Sequence, residues 1–228
     1  MNSKLILFLF LIFTGVSIQA QHASQVVLKD IPFEPKIPIK KDLVEKLEQN
    51  SLYGALSKEA QSFIYWTNYS RIYPKEFKEL ALLPFLEVQP KLKGKYANSL
   101  MEDLSQTQSL PFLEPESKLI RAAQLHTEDI AKNNGRVSHQ SSDGASFGER
   151  IKRIGYKACS AENIAVGNDP NGLSSLLLLY LDINLPDLGH RKNLLNPNYT
   201  KIGVSVKELS NNQYLIVQEL GCPELAKN

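Results

Sequence analysis

Near its C-terminus the chain changes period. KIGVSVKEL (residues 201–209) alternates Ile202, Val204 and Val206 with polar neighbours, SNN (210–212) has turn chemistry, and QYLIVQELG (213–221) resumes the apolar pattern. A two-residue period marks strands, and two such runs around a short polar turn read as an antiparallel hairpin. The sequence before it has mostly helical signals. A hairpin placed late in a mainly helical chain predicts an α+β fold, a small antiparallel sheet covered by helices.

The helical signals run in order. Three prolines, Pro32, Pro35 and Pro38, make residues 21–40 an extended lead-in, followed by a short helix from Lys41 towards Glu48. Ser57 caps a helix that continues through FIYWTNYSRIY to Pro74, and Pro74 can open the next one, PKEFKELALL. Residues 86–111 are less regular, with a short helix around residues 96–104. In PESKLIRAAQLHTEDIAKNNG, Leu119, Ala122, Ala123, His126 and Ile130 share one face, and Asn134-Gly135 ends the element. The Gly/Ser-rich loop SHQSSDGAS leads into a short helix, FGERIKRIGY, that stops at Gly155. LSSLLLLYLDINL (173–185) is apolar nearly all round and too short to span a bilayer, so it reads as a buried helix.

The first residues, MNSKLILFLFLIFTGVSIQAQ, have the form of a secretory signal: Lys4, an apolar run from Leu5 to Phe13, and a small-residue cleavage site at Ala20. The run is shorter than the roughly 20 residues a spanning helix needs, and no cysteine stands near the site to take a lipid. After cleavage no stable membrane span is expected, and the mature chain is expected to be secreted or extracytoplasmic. Export makes a disulfide the default for the two cysteines, Cys159 and Cys222; a redox or metal pair would be spaced more closely. Such a bridge would contribute roughly 4 kcal/mol in the chain-entropy model. Formal net charge is +2, with acidic and basic residues interspersed, and no basic stripe carries interleaved aromatics. Nucleic acid is not an expected partner.

The sequence has no HExxH, CxxC, GxSxG or Walker-type motif, so chemistry must come from residues distant in the chain. His139 lies in the SHQSSDG loop, His190 follows a glycine at a helix start, and Glu162 sits among small apolar residues in AENIAVG. Histidine pairs with carboxylates suit zinc or copper. Structural readings stand beside this one: His139 as a surface loop residue, His190 as a helix cap, Glu162 as a loop organiser. His126 lies in phase with an apolar face and reads as a hydrogen-bonded core histidine. The serines of SHQSSDGAS beside Asp143 show no activated hydroxyl or oxyanion hole. The sequons at Asn68 and Asn198 would matter only in a glycosylating host.

The order of several segments resembles the CAP superfamily of cysteine-rich secretory, antigen 5 and pathogenesis-related-1 proteins, in its bacterial secreted branch. The segments are NYSR (68–71), AAQLHTEDIA, SHQSSDG, ERIKRIGY, AENIA, GHRKNLLNPNYTKIGV and YLIVQEL. They run from Ser57 to Cys222. The resemblance implies an α–β–α sandwich over residues 53–224, after a signal (1–20) and a lead-in with a short helix (21–52), with a tail at 225–228. It also implies a cleft holding two histidines and two acids: His139, Glu162 and His190 match three of them. At the fourth position, three residues after Tyr180, stands Ile183; Asp182 is the nearest carboxylate and Asp187 the other option.

Three functions follow as expectations. The first is a secreted, non-catalytic module whose cleft binds a divalent metal, zinc or copper, and a small-molecule, lipid or protein ligand through His139, Glu162 and His190. The second is a metal-assisted hydrolase with Glu162 as general base. The third is a carrier of an apolar ligand. The family's fold does not choose among them.

Overall fold

The structure, a computed structural model, describes residues 26, 28, 33–209 and 212–225. The expected signal at 1–20, most of the lead-in before Phe33, two residues of the SNN turn and the last three residues of the tail lie outside these.

Residues 33–40 form no helix or strand, with a tight turn in which Ile37 N donates to the Pro35 carbonyl at 3.0 Å, and helix α1 (Lys41–Glu48) follows as expected. It buries Leu43 and Leu47 in the core that holds the later helices, so the end of the lead-in belongs to the packed body. A single turn, α2 (Ser51–Gly54), leads to α3 (Lys58–Ile72), where the Ser57 hydroxyl accepts from Ala60 N. Pro74 opens α4 (Pro74–Phe77). The PKEFKELALL segment is not one regular α-helix: residues Lys78–Leu82 widen into a π-helical turn before α5 (Leu83–Val88). The excursion ends in α6 (Lys95–Gln106), close to the expected helix.

Strand β1 (Glu114–Pro115) precedes α7 (Ser117–Lys132), whose Leu119, Ala122, Ala123, His126 and Ile130 are all buried. Helix α8 (Phe147–Ile154) starts in a capping box between Ser146 and Glu149 and ends at Gly155, which takes the left-handed conformation a C-terminal glycine favours. Then come β2 (Ser160–Gly167), α9 (Leu173–Leu181), α10 (Gly189–Leu194), β3 (Lys201–Glu208) and β4 (Tyr214–Gly221).

The hairpin β3–β4 is antiparallel, but the sheet is larger than a hairpin, with strand order β1-β3-β4-β2. AENIAVG has only Ile164 and Val166 to favour a strand, since Ala, Glu, Asn and Gly are weak strand formers. It is nonetheless strand β2, paired antiparallel with β4 over its whole length from Ser160↔Gly221 to Gly167↔Tyr214. The two-residue β1 joins the other edge in parallel with β3, a departure from a purely antiparallel sheet. Helix α7 covers one face, where Ala123 and Ile130 pack on Ile164, Leu215 and Val217. The opposite face, with Ile202, Val204, Ile216 and Leu220, packs against α1, α3, α6 and α9. The result is the expected α–β–α sandwich. β4 is central and covered on both sides, which is why LIV reads as a continuous apolar run.

Local chemistry fixes two further points. The LSSLLLLYLDINL helix stops at Leu181, four residues early, because Asp182 (φ 49°) and Asn184 (φ 63°) are left-handed and cannot propagate it. Asn68, the first sequon, is fully buried; its side chain pairs with both backbone groups of Leu113 (2.7 and 3.1 Å), which closes it to modification. The Asn198 sequon lies on an exposed turn. Three residues after Asn68, buried Arg71 donates to the carbonyls of Leu194 (2.6 Å), Tyr199 (3.0 Å), Asn196 (3.1 Å) and Pro111 (3.3 Å). It thereby anchors the end of α10 to α3. Cys159 and Cys222 form the expected disulfide, 63 residues apart, joining the segment before β2 to the end of β4.

Candidate functional site

Strand β2 presents Glu162 towards α7 and the SHQSSDG loop. Its carboxylate is buried and accepts from His139 Nδ1 at 2.8 Å on one oxygen and from Arg150 at 2.5 Å on the other. Arg150 also donates to the His139 carbonyl at 2.7 Å, so a single guanidinium fixes the backbone and the partner of the same histidine. Burial alone would raise the Glu162 carboxyl. The bond from His139 and the positive field of Arg150 outweigh it and hold the group below the usual carboxylate range.

His126 approaches the same carboxylate, with Nε2 at 3.9 Å from Oε2. That distance is not an ion pair in effect. Nε2 donates to the Ser138 carbonyl at 2.8 Å, and burial lowers the imidazole's pKa, so His126 is a neutral core residue as expected.

The second histidine has its own acid. His190 Nδ1 lies 2.5 Å from an oxygen of Asp182, whose other oxygen accepts from Arg191 N at 3.0 Å. Asp182 is buried, whereas Asp187 is exposed. The left-handed turn that ends α9 is what aims the Asp182 carboxylate at the first turn of α10. Arg191 is buried beside it and donates to the carbonyls of Tyr180 (2.7 Å) and Tyr96 (3.0 Å) and to Asp103 (3.0 Å), so α10 cannot rotate away.

Asn193 connects the two histidine–carboxylate pairs. Its side-chain amide donates to the Asn163 side chain at 2.8 Å and lies 3.4 Å from the Glu162 carbonyl, so α10 rests directly on β2. The amide chain continues from Asn163 to Gln218 (2.9 Å) and from Gln218 to Thr67 (3.0 Å), across one face of the sheet to α3.

Each oxygen of Glu162 accepts one hydrogen bond, from His139 on one side and Arg150 on the other, so this carboxylate supports the histidine ring. Among the described residues, no three His, Cys, Asp or Glu side chains form a group that could hold a metal ion. Two nitrogens remain: Nε2 of His139 and Nε2 of His190, on side chains 22% and 18% exposed. An imidazole whose Nδ1–H is held by a carboxylate and whose Nε2 is free has the donor chemistry of a metal-binding histidine.

Two members of the site were not singled out from sequence. Arg150 stands on the apolar stripe of Phe147, Ile151 and Ile154, where a charged residue is out of place. Glu219 faces Glu162 across the strands and is in phase with buried Leu215 and Val217. In both cases the signal was a charge at a core position of a periodic element.

On the far side of α10 an open groove of about 680 Å³ is lined by Leu188, Leu195 and Pro197, with Asp103 and Lys192 among its polar residues. No helix among the described residues is long and apolar enough to cross a membrane.

Comparison with solved structures finds an extracellular protein containing an SCP domain from Bacillus anthracis, at 24% identity over 59% of this chain and 40% of that one, with a TM-score of 0.42. An outer surface protein of Borrelia burgdorferi matches at 22% identity over 57% of this chain and 90% of that one, TM-score 0.41. A cysteine-rich secretory protein of Staphylococcus aureus matches at 20% identity over 58% and 37%, TM-score 0.33. The chain therefore spans well under two thirds of the first and third of these proteins. A search of the curated proteins returns no match. The profile of the cysteine-rich secretory protein family, CAP, matches residues 67–220, which is more than half of the sequence and includes His126, His139, Arg150, Glu162, Asp182, His190 and Glu219. The chain belongs to the cysteine-rich secretory protein family.

Proposed function

We propose that the protein is an exported, non-catalytic binding module that takes a divalent metal, zinc or copper, on Nε2 of His139 and His190. A small molecule, lipid or partner protein would complete the coordination. The observation that carries this reading is the pairing of each histidine's Nδ1 with a buried carboxylate, Glu162 at 2.8 Å and Asp182 at 2.5 Å. Such partners fix the tautomer and raise the basicity of the free nitrogen. When bound, the metal would supply a Lewis-acidic anchor for an oxygen or nitrogen of the ligand. The chain's own contribution is to orient the two rings: Arg150 and Glu162 hold one, Asp182 and Arg191 the other.

The hydrolase reading has less support, because its intended base, Glu162, is buried and doubly engaged. An apolar-ligand carrier would use the groove beside α10, where Lys192 and Asp103 add charge to the lining.

Calorimetric titration of zinc and copper into the protein and its His139→Ala/His190→Ala variant tests the proposal. The native protein should bind and the double variant should not, with Asp182→Ala about 10–100-fold weaker than native. Equal affinity for native and double variant would refute the site. Chelator-sensitive cleavage of peptides or esters, abolished by Glu162→Ala, would refute the absence of catalysis.

A further inference from the structure

Glu219 sits in the middle of the sheet, fully buried, on the face covered by α7. Its Cα partner across the β2–β4 ladder is Glu162, and the period of two places both side chains on that face. Neither carboxyl oxygen of Glu219 has a hydrogen-bond partner when the group is counted as a carboxylate. The polar group within reach is the other acceptor, Glu162. Two facing acceptors in a buried site, with one arginine between the strands and α8, are resolved by a proton on one of them.

The proton belongs on Glu219. Glu162 already accepts from His139 Nδ1 and from Arg150, two donors that need its negative charge. Of the charged groups around the pair, Arg150 on α8 bonds to Glu162, and His126 on α7 donates to the Ser138 carbonyl. Arg150 Nε and His126 Nδ1 are buried without hydrogen-bond partners, so neither bonds to Glu219. We infer that Glu219 is a positioning residue of the His139 arm: it stands as a neutral carboxylic acid that donates its proton to Glu162, adding a third donor that holds this carboxylate against His139. Burial first, and then the adjacent Glu162 charge, push the Glu219 carboxyl well above the usual carboxylate range, in agreement with the geometry.

The role deepens the proposed site, since the histidine positioned in this way is one of its two nitrogen donors. It does not depend on any metal being bound. Each Glu162 oxygen has two lone pairs, so the third bond displaces neither His139 nor Arg150.

The test uses metal-free protein at neutral pH. Infrared spectra of the native protein should contain a protonated-carboxyl stretching band that shifts in heavy water and is missing from Glu219→Gln. In spectra of protein labelled at histidine nitrogen, the His139 Nδ1–H resonance should be slow to exchange with solvent. Glu219→Gln keeps an uncharged donor of the same length and should preserve that resonance. Glu219→Leu keeps the bulk without the donor and should lose it, while the His190 Nδ1–H resonance stays unchanged in both variants. Absence of the protonated-carboxyl band from the native protein would overturn the inference, as would an unchanged His139 resonance in Glu219→Leu. If Glu219→Leu does not fold, the infrared comparison and the His139 resonance of Glu219→Gln decide: no difference in the band, or loss of the resonance, overturns it. A protein that passes these tests yet binds no zinc or copper would refute the proposed function and leave the role of Glu219 intact.

Discussion

Replacing Gly203 with alanine puts a methyl group where the backbone of α7 already runs. A Cβ built on Gly203 would lie well inside 3.0 Å of Leu119 C and O and of Ile120 N. All three are backbone atoms, so no side-chain rotation relieves the contact. With carbon–carbon contacts optimal at roughly 3.5–4.0 Å, relieving the contact fully takes a retreat of the helix from β3 by more than about 1 Å, and a gap of about 1 Å already forfeits up to half of each packing contact. Ala123 and Ile130 would lose their fit to Ile164, Leu215 and Val217 together. Overpacking costs typically about 1–3 kcal/mol, and the rigid partner places this case near 3 kcal/mol. For a domain of this size that corresponds to a fall in melting temperature of about 6–12 °C. Urea and thermal denaturation of Gly203→Ala read it directly. Gly148→Ala is the control: it lies in α8 with nothing within 4 Å of the added Cβ, and should be neutral or stabilise by up to about 1 kcal/mol. If Gly203→Ala melted within about 0.5 kcal/mol of the native protein, the claim that helix and strand backbones touch here would be wrong.

Removing the Cys159–Cys222 bridge by a double serine substitution should cost roughly 4 kcal/mol, from the 63-residue separation, and labelling of the denatured, unreduced native protein should find no free thiol at either position. The two facing glutamates should give opposite pH dependences. Glu162 is depressed in the folded state, so its contribution is present above the unfolded carboxylate range and is lost as pH falls through the folded value; Glu162→Gln should flatten the acid limb of the stability curve. Glu219 is raised, so its contribution is present below the unfolded carboxylate range and declines as pH rises towards the folded value; Glu219→Gln should gain on the native protein as pH rises above the unfolded carboxylate range in urea titrations. Parallel pH profiles for the two variants would contradict the assignment of the proton.

Periodicity by itself determined most of the helices and the closing hairpin. α3, α7 and α8 begin and end at caps and breakers that stand in the sequence, such as Ser57, Ser146 and Gly155, because helix termini are governed by residues within a turn of them. The order of short motifs also brought His139, Glu162 and His190 forward as one group. Three things were settled by tertiary contacts. AENIAVG is a strand because β4 offers a full antiparallel ladder to pair with; Ile164 and Val166 favour that conformation locally, whereas Ala, Glu, Asn and Gly do not. The acid of His190 is Asp182 because the chain turns left-handed there, with the carboxylate bound by the first turn of α10. Glu162 is bound by Arg150 of α8 and faces Glu219 of β4, at separations of 12 and 57 residues that no local pattern spans. A sequence pattern shows which positions are buried; which buried charges face one another depends on register and packing between distant segments.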